Sequence, residues 1–115
     1  MAQVEQSLGG NAYIVSFADD VSLVDDATQV LDIIGYNAGT IHVKYITAAL
    51  AVYTGVYDFY RTADTATILI QSNSTDFDDA DTDTKFDLYV AAGIVYLKNR
   101  TAATVTCNVM GLLSK

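Results

Sequence analysis

The chain has 115 residues, 51% of them hydrophobic, with 8 tyrosines, no tryptophan and no proline. That is enough apolar chain for one domain with a real core, and too much for a disordered segment. A formal charge of −8 argues against non-specific nucleic-acid binding, which needs clustered Lys and Arg, and against anionic membrane surfaces, so neither is expected as a partner.

Residues 1–11 are polar and end in Gly9-Gly10-Asn11, which reads as an N-terminal arm or loosely attached lead-in. Met1–Gly10 has no basic region followed by an apolar stretch, so no signal peptide is expected. No apolar run approaches the roughly 20 residues of a membrane span. The remaining residues, 12–115, form the expected domain. Residues 12–17 make a first strand, closed by turn chemistry at Asp19-Asp20.

Residues 21–36 admit two readings. Asp25-Asp26 could cap a short helix carrying Val30, Leu31 and Ile34. A strand from Gln29 to Tyr36 is favoured, because Gly35 and the Asn37-Ala38-Gly39 turn signal follow closely. Residues 40–47 alternate cleanly, with Ile41, Val43 and Tyr45 on one face and His42 and Lys44 on the other. Residues 50–61 are one long strand or a pair broken at Thr54-Gly55, where a bulge is expected. Residues 65–71 give another strand, and 72–84 an acidic loop.

The clearest local signal is the run from Phe86 to Asn99, which reads as a β-hairpin turning at Ala92-Gly93. That register sets Val90 against Val95, Tyr89 against Tyr96, Leu88 against Leu97 and Asp87 against Lys98. Leu88, Val90, Val95 and Leu97 then share one face, and the tyrosine and opposite-charge pairs share the other. A three-residue loop with Gly93 in a bulge is the rival register, because a type I′ turn prefers Asn or Gly where Ala92 stands. Residues 103–110 close the pattern, with Val105, Cys107 and Val109 on one face and Thr104, Thr106 and Asn108 on the other. About eight strands at roughly 8–12-residue spacing predict an all-β fold: a single-domain antiparallel β-sandwich of jelly-roll-like type.

Candidate chemistry is sparse. Asp79, Asp81 and Asp83 form an Asp-x-Asp-x-Asp run of the kind that supplies oxygen ligands to calcium. Counted from Asp79, an EF-hand loop needs Gly and Glu where Thr84 and Val90 stand, so a solvated loop is the better reading and no cofactor is expected. His42 is the sole histidine and Cys107 the sole cysteine, at no metal-ligand spacing. No nucleophile motif accompanies His42, so no enzyme activity is expected. Cys107 can form no intrachain disulfide and is expected to pack as a small hydrophobe. The tyrosines read as cross-strand packing, as a protein interface or as sugar-stacking platforms. Tyr57, Tyr89, Tyr96 and His42 are the interface candidates.

From Gly55 to Leu112 the chain resembles tailed-phage virion structural proteins. The resemblance is carried by Val56-Tyr57-Asp58-Phe59-Tyr60-Arg61, by the Asp-rich loop, and by Gly93-Ile94-Val95-Tyr96-Leu97-Lys98-Asn99-Arg100-Thr101. It implies a non-catalytic β-sandwich subunit, commonly a homotrimer, that binds the major capsid protein or other virion proteins. The chain would be assembled in the host cytoplasm and reside in the virion. The leading expectation is a capsid-decoration (cement) subunit; the second is a fibre or spike module that recognises a host-surface glycan. The arm at 1–11 would suit either, since such proteins use their termini to reach neighbours.

Overall fold

The computed structural model describes residues 3–47, 50, 52–61, 68–72, 77–78 and 86–115. Among these residues there are ten strands and no helix. β1 (Val4–Gly9), β2 (Ala12–Leu23), β4 (Ala38–Thr47), β5 (Val52–Arg61), β6 (Ile68–Ser72) and β10 (Val105–Ser114) build a six-stranded sheet in the order β1-β2-β10-β4-β5-β6. β3 (Thr28–Leu31), β7 (Phe77–Asp78), β8 (Phe86–Ala91) and β9 (Ile94–Asn99) build a second sheet in the order β3-β9-β8-β7. All pairs are antiparallel except β7 with β8, which is a short parallel one. The expected all-β, two-sheet architecture is therefore present.

The inner faces of the two sheets meet in one core. β10 supplies Val105, Cys107, Val109 and Leu113, and β4 supplies Ile41, Val43 and Tyr45. β5 adds Tyr57 and Phe59, β8 adds Phe86 and Leu88, and β9 adds Val95 and Leu97. The Tyr45 and Phe86 rings touch across the gap between the sheets, with centroids 4.3 Å apart. β4, β9 and β10 present alternate residues to this core, as side-chain period two requires.

The hairpin forms in the expected two-residue register, from Phe86↔Asn99 to Ala91↔Ile94. Ala92 and Gly93 both adopt positive φ, 51° and 78°, which is the type I′ geometry. The strand twist therefore outweighs the strain of a Cβ in the left-handed region at Ala92. Tyr89 and Tyr96 stack outside the core at 5.2 Å, with 15° between their planes. The base of the hairpin is tied down by Asn99, which is fully buried. Its amide nitrogen donates to the carbonyls of Leu23 (2.9 Å) and Ala103 (2.8 Å). Its amide oxygen accepts from the backbone N–H (2.9 Å) and hydroxyl (2.7 Å) of Thr101.

Several expectations change. The lead-in at 1–11 is not loosely attached: Val4–Gly9 pair with β2 as a hairpin. Asp19-Asp20 do not end the first strand. They lie inside β2, where the register against β10 shifts between Cys107 and Val109. Asp20 takes a φ of 51° there, and Asn108 satisfies it twice. Its side-chain oxygen accepts from the Asp20 N–H at 2.9 Å, and its amide donates to the Asp20 carboxylate at 3.1 Å. Turn chemistry in the sequence has here become a β-bulge. Of the two readings of 21–36 the strand is the one present, but it runs over Thr28–Leu31 rather than Gln29–Tyr36: residues 21–23 still belong to β2, and the chain turns at Ile34-Gly35. Ala38 and Gly39, expected in that turn, belong to β4. β5 is one strand whose register against β4 runs unbroken through Gly55, so no bulge interrupts it.

Gly39 is required for a different reason. A Cβ there would meet the Cδ2 of Leu113 and lie 2.6 Å from the carbonyl oxygen of Leu112 and 2.9 Å from the Cα of Leu113. Backbone of a central strand cannot yield, so Gly39→Ala should destabilise the fold by about 1–3 kcal/mol in chemical denaturation, the usual range for overpacking.

The two faces of the hairpin should also separate. Leu97→Ala removes a fully buried side chain and should cost about 2–5 kcal/mol. Tyr96→Ala, on the half-buried outer face, should cost nearer the 0.2–1 kcal/mol of a cross-strand pair. Melting of the two variants side by side checks the difference.

Candidate docking face

The second face of the six-stranded sheet has no layer over it among the described residues. Its composition follows from the alternation that builds the core. On β10, Thr106, Asn108, Met110 and Leu112 point outward between the buried residues. Met110 is 54% exposed and Leu112 53%. Their neighbours in register are Ser16 and His42 for Met110, and Ile14 and Thr40 for Leu112. His42 in turn lies opposite Val56 on β5.

A groove of about 400 Å³ runs over this face. Ser16, His42, Lys44, Val56, Asn108 and Met110 contribute to its walls. The bulge in β2 brings Asp19 to its edge. Apolar side chains thus sit beside a histidine, a lysine and an amide. That mixture suits contact with another molecule's surface, where an apolar centre is ringed by polar groups.

The sequence-derived interface candidates do not converge. His42 lies on this face, as expected from the alternation of 40–47. Tyr89 and Tyr96 are half-buried on the outer face of the other sheet and stack on each other. Tyr57 is not at a surface: it is fully buried on the inner face of β5, opposite Ile41. The sign that could have placed it was Asp58, whose outward position sends its neighbours Tyr57 and Phe59 inward. Asp58 accepts a hydrogen bond from the Thr40 hydroxyl at 2.8 Å. Tyr36 and Tyr45 are core residues as well. Much of the tyrosine content is therefore packing. Asp79, Asp81 and Asp83 lie outside the described residues. Among the described residues, no group of three or more His, Cys, Asp or Glu is placed to hold a metal.

Met110 and Leu112 were missed because the closing strand was read as ending at Met110. The continued alternation through Gly111, Leu112 and Leu113 was the available signal. Apolar residues at both parities there indicate a strand whose outer face is also apolar.

No protein-family model matches the chain, and no curated protein matches it. Among solved structures, the crystal structure of the Acinetobacter phage vB_ApiP_P1 tailspike protein is similar. The TM-score is 0.45 and the sequence identity 16%, over 95% of this chain and 22% of that one. The chain spans about a fifth of the length of that protein.

Cys107 is buried beneath the same strand, on the core side. Loss of solvation pushes its thiol up to about 12, from 9.0. The folded state therefore keeps the proton that the unfolded chain releases above pH 9. Stability should be unaffected below pH 9 and fall as pH rises from about 9 to about 12. Comparing denaturation of the wild type and Cys107→Ala across that window isolates the effect. At neutral pH a thiol reagent should label Cys107 only after unfolding.

Proposed function

We propose that the chain is a non-enzymatic structural subunit of a tailed-phage particle, which attaches to other virion proteins through the open face of its six-stranded sheet. The observation that carries this reading is the pair Met110 and Leu112, more than half exposed at the centre of that face on a strand whose other side is the core. Large apolar groups at the centre of an uncovered surface mark interaction sites. The resemblance between Gly55 and Leu112 supports the virion setting and, within it, a capsid-decoration role against the major capsid protein.

A second reading is a fibre or spike module that recognises a host-surface glycan. The groove beside Met110 favours it, since His42, Lys44 and Asn108 offer hydrogen-bonding groups around an apolar floor.

Copy number separates the two. Mass spectrometry of intact virions should find the chain in large multiples, as a lattice-covering subunit would be. A handful of copies, together with binding on a glycan array, would favour the fibre reading. Within the leading reading, Met110→Asp should abolish attachment to particles while leaving the melting temperature within a degree or two, because an exposed substitution rarely changes stability by more than about 0.5 kcal/mol.

A further inference from the structure

Among the described residues, β1 forms an edge of the six-stranded sheet and has β2 as its one strand neighbour. Every one of its residues is exposed. An edge strand leaves one row of backbone N–H and C=O groups unpaired, and proteins ordinarily blunt such edges with proline, lysine, a bulge or an inward charge. β1 contains neither proline nor lysine. Its register against β2 is regular from Val4 to Ser7, and the bulge comes only at Leu8, where the strand enters its turn.

The strand is nevertheless held in place. The Gln3 amide donates to the Asp32 carbonyl at 2.8 Å and its oxygen accepts from the Asp32 N–H at 3.3 Å. Glu5 accepts from the Tyr36 hydroxyl and pairs with Lys115 at 3.4 Å. The Lys115 ammonium also lies 4.5 Å from the Tyr13 ring centroid. These tethers fix an extended segment that buries little of its own surface. A strand ordered in advance has less freedom to lose on pairing.

We propose that β1 pairs antiparallel with β1 of a second copy of this chain, about a two-fold axis at Gln6, joining two six-stranded sheets edge to edge. This inference stands independently of the virion reading. The segment Val4-Glu5-Gln6-Ser7-Leu8 is self-complementary about its centre. Val4 would lie opposite Leu8 of the second copy, covering two side chains that are 56% and 51% exposed. Glu5 would lie opposite Ser7 of the second copy, so the two carboxylates do not face each other. Moving the axis to Glu5 would set carboxylate against carboxylate. Charge selects this edge as well. Two copies each carrying −8 repel. On β1 the only acid is Glu5, already engaged by Lys115, so the strand itself brings little uncompensated charge to where the copies would meet. A two-fold contact of this kind is isologous and closes at two copies. It differs from the trimer that the resemblance implies.

The test uses the full chain and light scattering after gel filtration at micromolar concentration. The wild type should run as a dimer. Gln6→Lys places two lysines opposite each other only in the dimer and should weaken it roughly tenfold or more, with circular dichroism and melting of the single chain unchanged. Gln6→Glu should do the same. An equal mixture of the two variants should restore the dimer, because opposite charges then meet at the axis. Gln6→Cys should cross-link under mild oxidation into a disulfide-bonded dimer, with the buried Cys107 not competing. A wild-type monomer at these concentrations would overturn the proposal. So would a dimer or trimer indifferent to both charge changes, or failure of the mixture to restore association.

Discussion

The structure depends on the double pairing of β10. Its ten residues are in register with β4 without interruption, from Val105↔Thr47 to Ser114↔Ala38, and with β2 along the other edge. A strand held on both sides cannot slip, and side-chain period two then decides both of its faces together. Val105, Cys107, Val109, Gly111 and Leu113 go inward; Thr106, Asn108, Met110 and Leu112 go outward. A shift of one residue would bury Thr106 and Asn108 and turn the core residues to water. The two glycines near the end of this strand pair belong to the same constraint. At Gly39 the Leu113 side chain occupies the space of a Cβ. At Gly111 the Phe17 ring lies 3.0 Å from where one would be. The backbone is brought close there so that large side chains from neighbouring strands can close the core.

Because β10 keeps its register with β4, the irregularity of this sheet falls on β2. Opposite Val109 the register of β2 shifts twice. Asp20 adopts its left-handed conformation and Asn108 satisfies it from the outer face of β10. The local bend brings Asp19 to the edge of the groove that His42, Lys44 and Met110 line. A packing requirement on one side of the sheet thus shapes the groove on the other. Asn99 acts in a comparable way at the far end. Its amide ties Leu23, at the end of β2, to the chain leading into β10, and its backbone carbonyl accepts from Asp26. The two sheets are therefore joined by a saturated polar group as well as by apolar contact.

What was legible in the sequence follows from burial. Strands with one face in the core display period two, so β4, β9 and the first part of β10 could be read directly, and the hairpin register followed from its matched pairs. β1 could not be read, because every residue in it is exposed and nothing selects an alternation. Asp19-Asp20 misled for a chemical reason: the residues that favour turns are those that tolerate the left-handed conformation a bulge needs. Tyr57 was misplaced because both parities of β5 carry large side chains, and its burial depends on which set meets the second sheet. The outer face was missed for the converse reason. Strand reading looks for one apolar face, and a second was taken for the end of the strand.

The charge distribution reconciles solubility with contact. Asp25, Asp26 and Asp32 lie at turns or strand ends, Asp19 and Asp20 at the bulge, and the run from Asp76 to Asp83 in the acidic segment of the sequence. The open face of the central strands instead carries Lys44, His42 and Asp58, the last hydrogen-bonded to Thr40. At about 0.1 M salt, exposed charges act over roughly 10 Å. Among the described residues, Asp25, Asp26 and Asp32 thus lie away from the central strands, where Lys44 and His42 stand against Asp58 and, at the groove edge, Asp19. On the proposed reading, a partner at that face would meet the apolar Met110 and Leu112 beside the charged and polar groups of the groove. If the proposed attachment holds, net negative charge would keep free copies apart while short-range apolar contact at Met110 and Leu112 decides where they dock.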